Sequence, residues 1–118
     1  MQHVFYPDGN TKKISWTIQT GDSTVEQTRE HTEIYLDKVS NIQSKYIALH
    51  VGLFWGIGTF IIKNSDLVIM KLDDRLMYEH LALNKKSADK FIEKRTSFIK
   101  QLILQRKLEV HFELISEK

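Results

Sequence analysis

The sequence contains no cysteine, so it offers no disulfide framework, no thiolate nucleophile and no Cys-based zinc or iron-sulfur site. A bound metal would have to sit on carboxylates or histidines. Proline is nearly absent, with one in 118 residues, and no linker, low-complexity tract or repeat interrupts the chain. The expectation is a single domain over residues 1–118, too short for two lobes with a cleft between them. Long hydrophobic runs are lacking too. The most apolar stretch, 47–62, falls short of the roughly 20 residues that a spanning helix needs, and it carries His50 and an expected break at Gly56-Ile57-Gly58. No membrane partner is expected. The stretch from Met1 to Asp8 shows no basic segment followed by an apolar one, which sets the expected location as cytoplasmic. Also missing are a His-Glu-x-x-His spacing, a Gly-x-Ser-x-Gly elbow, a phosphate-cradling loop and the third glycine of a dinucleotide fingerprint.

What is present suits a globular fold. Hydrophobic residues make up 42% and charged residues 27%, enough to bury a core and avoid disorder. The net charge of +2 is too small to demand a polyanionic partner, but it is unevenly spread. Eight basic residues face two acidic ones between Lys85 and Lys107, whereas the stretch from Asp22 to Asp37 holds five acidic residues and one arginine.

Periodicity divides the chain into elements. His3 to Tyr6 is a short apolar run ended by the turn signal Pro7-Asp8-Gly9-Asn10, and Ile14 to Gln19 alternates apolar with polar. Thr24 to Leu36, rich in threonine and β-branched residues, reads as one long strand with a wet face. Ser40 or Asn41 can cap a helix that carries Tyr46, Leu49, Leu53 and Ile57 on one stripe and Ala48, Gly52 and Gly56 on another, with Gly58 as a left-handed stop. The small-residue stripe is expected to pack closely on a sheet. Leu67 to Met70 reads as a strand buried on both faces, Arg75 to Leu83 as a short helix, and Ala88 to Lys107 as an amphipathic helix with Phe91, Phe98, Ile99 and Leu102 inward. Leu108 to Ile115 alternates again. The order β-β-β-α-β-α-α-β predicts an α/β fold, one five-stranded mixed sheet with helices packed against it.

Acidic residues follow two of these strands: Asp8 after the first, and Asp73 with Asp74 after the fourth, at the strand ends where open α/β sheets place their sites. The Glu109, His111 and Glu113 face of the last strand could also hold a metal, but a solvated sheet face is the simpler account.

The element order, and three segments within it, resemble the ribonuclease H family. Tyr6-Pro7-Asp8-Gly9 resembles that family's first strand, ending in Tyr-x-Asp-Gly. The segment from Asn41 to Leu53 is similar to its first-helix motif, Asn-Asn-x-x-Glu-x-x-Ala-x-x-x-x-Leu, and that from Leu67 to Leu76 to its fourth strand running into Asp-Ser-x-x and a helix. The resemblance spans nearly the whole chain. It implies hydrolysis of the RNA strand of an RNA/DNA hybrid by two divalent cations, Mg²⁺ or Mn²⁺, on a cluster of carboxylates. Carried over by position, Asp8 and Asp73 match two of the catalytic aspartates.

The departures are as informative. Lys45 stands where the family has a glutamate, replacing a metal ligand by an ammonium that cannot coordinate while protonated. The last acidic ligand, which the family carries in a helix beyond the fifth strand, is expected to be missing here. Asp8, Asp73 and Lys45 thus sum to one negative charge where four acids would bring four. The expectation is that Lys45 bridges the two aspartates as a built-in cation, that the acidic residues are vestigial, and that no metal or other cofactor is bound. Asn41 is kept at the helix head, but Ile42 replaces a polar partner, and the loop after Asp8 is short.

The leading expectation is a non-catalytic ribonuclease H-like domain that binds nucleic acid or protein. Asn41, Lys86, Lys90, Lys94 and Arg95 are the candidate nucleic-acid contacts, because phosphate contacts need only clustered cations. Self-association through the last strand or a bare sheet surface is a further possibility. Two alternatives stand beside it: a Mg²⁺- or Mn²⁺-dependent nuclease using Asp8, Asp73 and Asp74, and a structural subunit without a ligand.

Overall fold

The computed structural model describes residues 1–115; the remaining three residues of the expected 1–118 domain lie outside the described residues. Five strands and three helices follow in the expected order: β1 (Gln2–Gly9), β2 (Lys13–Thr20), β3 (Ser23–Glu30), α1 (Asn41–Gly58), β4 (Leu67–Leu72), α2 (Arg75–Ala82), α3 (Lys90–Gln105) and β5 (Glu109–Leu114). The strands form one sheet in the order β3-β2-β1-β4-β5. The first three make an antiparallel meander, while β4 and β5 run parallel to β1, so the sheet is mixed as expected. Among the described residues, no helix is long and apolar enough to cross a membrane.

The register aligns one apolar face across the sheet. Phe5 pairs with Ile18 on one side and with Met70 on the other, and Met70 pairs with Phe112. Phe5, Trp16, Ile18, Val68, Met70 and Leu72 are buried beneath the Tyr46, Ile47, Leu49 and Leu53 face of α1. Each such side chain contributes about 1.5–3 kcal/mol through loss of apolar surface to water. The small-residue stripe behaves as expected. A Cβ on Gly52 would lie 2.6 Å from the Phe5 ring and 2.7 Å from that of Trp16, so α1 can rest this close to the sheet only with glycine there.

Four details differ from the sequence reading. The third strand ends at Glu30, where its pairing with Lys13 at the start of β2 runs out; residues 31–39 then form turns held by Tyr35 and Leu36 N–H bonds to the Thr32 carbonyl. The left-handed residue after α1 is Phe60, with φ 64°, not Gly58, and its N–H bonds to the Ile57 carbonyl. On α3 the buried positions are Ile92, Thr96, Ile99 and Leu102, so the helix is rotated to leave Phe98 at 43% exposure. Finally, β4 is fully buried only through Val68, Met70 and Leu72; Leu67, Ile69 and Lys71 are half-buried on a sheet face that no described helix covers.

Candidate functional site

The parallel pairing of β1 with β4 brings their C-terminal ends side by side. Asp8 lies at the end of β1 and Asp73 directly follows β4. Lys45 reaches Asp73 from α1, whose first turn is firmly anchored. Ser40 caps the helix in a reciprocal box, accepting from the Gln43 N–H at 3.1 Å while the Gln43 side chain accepts the Ser40 N–H at 2.9 Å. Gly9 then lets the helix close on the strand, since a Cβ there would sit 2.3 Å from Ser44 Oγ. Ser44 Oγ is also held by His31 Nε2 at 2.8 Å, which ties the turn after β3 to the same point.

With its helix anchored, Lys45 Nζ lies 3.0 Å from Asp73 Oδ1, the two side chains being 16% and 9% exposed. A pair this enclosed is screened far less than a surface pair. Of the expected bridge between the two aspartates, the structure shows the Lys45–Asp73 ion pair; Asp8 Oδ1 accepts the Gly9 N–H at 2.9 Å. Asp8 and Asp73 line one cavity of about 210 Å³ together with Tyr6, Ser15, Thr17, Glu26 and Lys71. Glu26 and Lys71 are lining residues that sequence reasoning missed. Strand alternation and register would have placed them, because Thr17 pairs with Glu26 and Lys71 with Glu113 across the open face. A hydrogen bond to Glu113, and the charge of that carboxylate, hold the Lys71 pKa above its ordinary value against partial desolvation. The cavity therefore contains a persistent ammonium.

The remaining candidates scatter. Asp74 is the N-cap of α2, its Oδ1 accepting the Met77 N–H at 3.0 Å, so the position proposed as a substitute ligand is engaged in holding a helix. Asn41 opens α1 and is exposed. Lys86, Lys90 and Lys94 are exposed around the start of α3. Arg95 turns inward instead, donating to Tyr35 Oη at 2.9 Å and lying 3.0 Å from His50 Nδ1.

The acidic donor set does not fit a two-cation centre. One of the matched aspartates holds the Lys45 ammonium, and among the described residues no group of three His, Cys, Asp or Glu side chains is placed to hold a metal ion. The solvated reading of Glu109, His111 and Glu113 matches their exposure on β5.

No protein-family model and no curated protein matches the sequence. Solved structures do. Ribonuclease H1 from the halophilic archaeon Halobacterium salinarum NRC-1 superposes with a TM-score of 0.79 at 16% identity, covering 98% of this chain and 86% of that one. The N-terminal ribonuclease H domain of rv2228c from Mycobacterium tuberculosis, solved as a maltose-binding-protein fusion, gives 0.76 at 16% identity, over 99% and 88% of the two chains. LC11 ribonuclease H1, solved in complex with an RNA/DNA hybrid, gives 0.74 at 18% identity, over 97% and 85%. With its mixed five-stranded sheet, its strand-end aspartates and these superpositions, the chain has the ribonuclease H-like fold.

Proposed function

We propose that this protein is a ribonuclease H-like domain that binds nucleic acid without cleaving it. The observation that carries the reading is the Lys45–Asp73 ion pair at 3.0 Å, at the point where the fold's active members are expected to place a metal-binding glutamate. An ammonium there neutralises Asp73 from within the protein. Vestigial Asp8 and Asp73 keep their places at the strand ends, and the fold keeps its shape. Nucleic acid is the favoured partner because Lys86, Lys90 and Lys94 form an exposed cationic run, and because LC11 ribonuclease H1, with the same fold, was solved on an RNA/DNA hybrid. The outer edge of β5 leaves room for a second copy to add a strand, a contact that belongs to the same reading.

One observation favours a rival. Asp8 and Asp73 line one cavity, as a metal-dependent nuclease would require. Incubating the protein with a labelled RNA/DNA hybrid and Mg²⁺ or Mn²⁺ separates the two. The proposal expects a salt-sensitive mobility shift with the RNA strand intact. Metal-dependent cleavage that disappears in Asp73→Asn would overturn it in favour of the nuclease.

A further inference from the structure

A second surface, on the opposite side of α1 from the sheet, combines aromatic rings with cations. His50 and Phe54 stand one turn apart on α1, and Phe91, Arg95, Phe98 and Leu102 follow one another along the facing side of α3. His50 and Phe98 are stacked, their ring centroids 6.0 Å apart and their planes within 20°. Phe54 is 63% exposed and Phe98 43%, a large apolar presence for a helix surface. Arg95 is held between rings, 5.3 Å from the Phe91 centroid and 5.9 Å from that of Tyr35. Two adjoining cavities of about 390 and 300 Å³ share His50 and Phe98.

The lining of these cavities is chemically selective. Lys94 and Arg95 supply positive charge, Gln101 and Gln105 supply amide donors and acceptors, and among the described residues no acidic side chain lines either cavity. Burial, followed by the neighbouring Arg95 charge, pushes the His50 pKa down, so its ring is a neutral flat surface at neutral pH. With Nδ1 accepting from Arg95, the His50 proton sits on Nε2. Flat rings open to solvent, flanked by cations and amides, complement a ligand that is itself flat, amide-bearing and anionic.

We infer that the groove between α1 and α3 binds a short single strand of nucleic acid, its bases stacking on Phe54, Phe98 and His50 and its phosphates meeting Lys94, while Arg95 holds the His50 ring in place. Stacking needs no particular base, because every base has a π face, so the site is expected to tolerate sequence and to exclude duplex, whose bases are already stacked. The inference deepens the nucleic-acid reading above and rests on it.

The test measures fluorescence anisotropy of labelled oligo-dT, oligo-rU and an RNA/DNA hybrid with the full chain. The wild type is compared with the Phe54→Ala/Phe98→Ala double variant and with Lys94→Gln, thermal melts confirming that each is folded. The expected result is a loss of single-strand affinity of about ten- to a hundred-fold in the double variant, with hybrid affinity unchanged. In Lys94→Gln the salt slope for the single strand should fall by about 0.7. Hybrid binding with no single-strand binding, or single-strand affinity untouched by the double variant, overturns this inference alone. Failure of the wild type to bind either probe overturns the nucleic-acid reading as well. A wild-type dimer converted to monomer by the double variant assigns the groove to a second copy of the chain and overturns the inference too.

Discussion

An aspartate flanks each end of β4, and the two have opposite fates. Asp66 precedes the strand and is sealed. Its carboxylate accepts from buried His3 Nε2 at 2.8 Å, from the Lys63 N–H at 2.9 Å and from the N-terminal ammonium at 3.2 Å, while His3 Nδ1 lies 2.6 Å from Thr20 Oγ1. Asp73 follows the strand and faces a cavity, paired with Lys45 from α1. The first cluster joins β1, β2 and the loop before β4, and its polar capacity is spent on the fold. The second lies where parallel strands end and a helix begins, where open α/β sheets leave a crevice. Having a carboxylate at a strand end does not make a site; the number of donors already committed to it decides how much is left for a ligand.

Breaking the sealed end should have the largest effect. Asp66→Ala leaves His3 and the Lys63 N–H without their acceptor in a buried setting, with an expected loss of about 3–5 kcal/mol in urea unfolding. A loss under about 1 kcal/mol would mean that water replaces the carboxylate and that the contrast between the two ends is false.

The open end should yield less and respond to repair. Lys45→Met deprives Asp73 of its cation and is expected to cost about 1–3 kcal/mol, most of it recovered when Asp73→Leu is added, since removing both partners of a pair leaves no orphaned charge. A double variant no more stable than Lys45→Met would show that the pair is not coupled. Lys45→Glu goes further. It puts an acid beside Asp73, whose cavity also holds Asp8, so Mn²⁺ should raise the melting temperature of this variant and leave the wild type unmoved. Equal stabilisation of both would remove the basis for calling Lys45 a replacement for metal.

The architecture was legible because it depends on patterns repeated over many residues: the alternation of Ile14, Trp16 and Ile18, the stripe through Tyr46, Leu49 and Leu53, the acidic residues after two apolar strands. The placement of Asp8, Lys45 and Asp73 was legible because two strand ends and one helix turn carry them. Features formed by distant residues were not. His3 met Asp66 only through the pairing of β1 with β4, and Glu26 and Lys71 entered the cavity only through register. The end of β3 at Glu30 was hidden because threonine and β-branched residues continue past it; the length of its partner, not its own propensity, stops the strand. Phe98 was misplaced because α3 has apolar residues on more of its circumference than the sheet and α1 can cover. The rotation that buries Ile92, Ile99 and Leu102 leaves it outside.

The smallest expected effect sharpens the comparison through pH. Burial alone would raise the Asp66 pKa, but the hydrogen bonds from His3, from the Lys63 N–H and from the N-terminal ammonium outweigh it and lower the value from 3.8 to about 2. Between those values the unfolded chain takes up a proton at Asp66 that the folded chain refuses, so in this window stability rises with pH. The contribution is fully present above 3.8 and is lost as pH falls towards about 2. Glu79 and Glu93 have lowered values as well, Glu79 mainly from its bond to Lys85 and Glu93 mainly from the Ser87 N–H, and they tilt the acid limb the same way from more solvated positions. Asp66→Asn should therefore flatten the limb without abolishing it. Urea midpoints taken at intervals from pH 2 to 5 would read the change, and a slope unaltered by the substitution would move the acid sensitivity of the fold from its sealed end to its surface carboxylates.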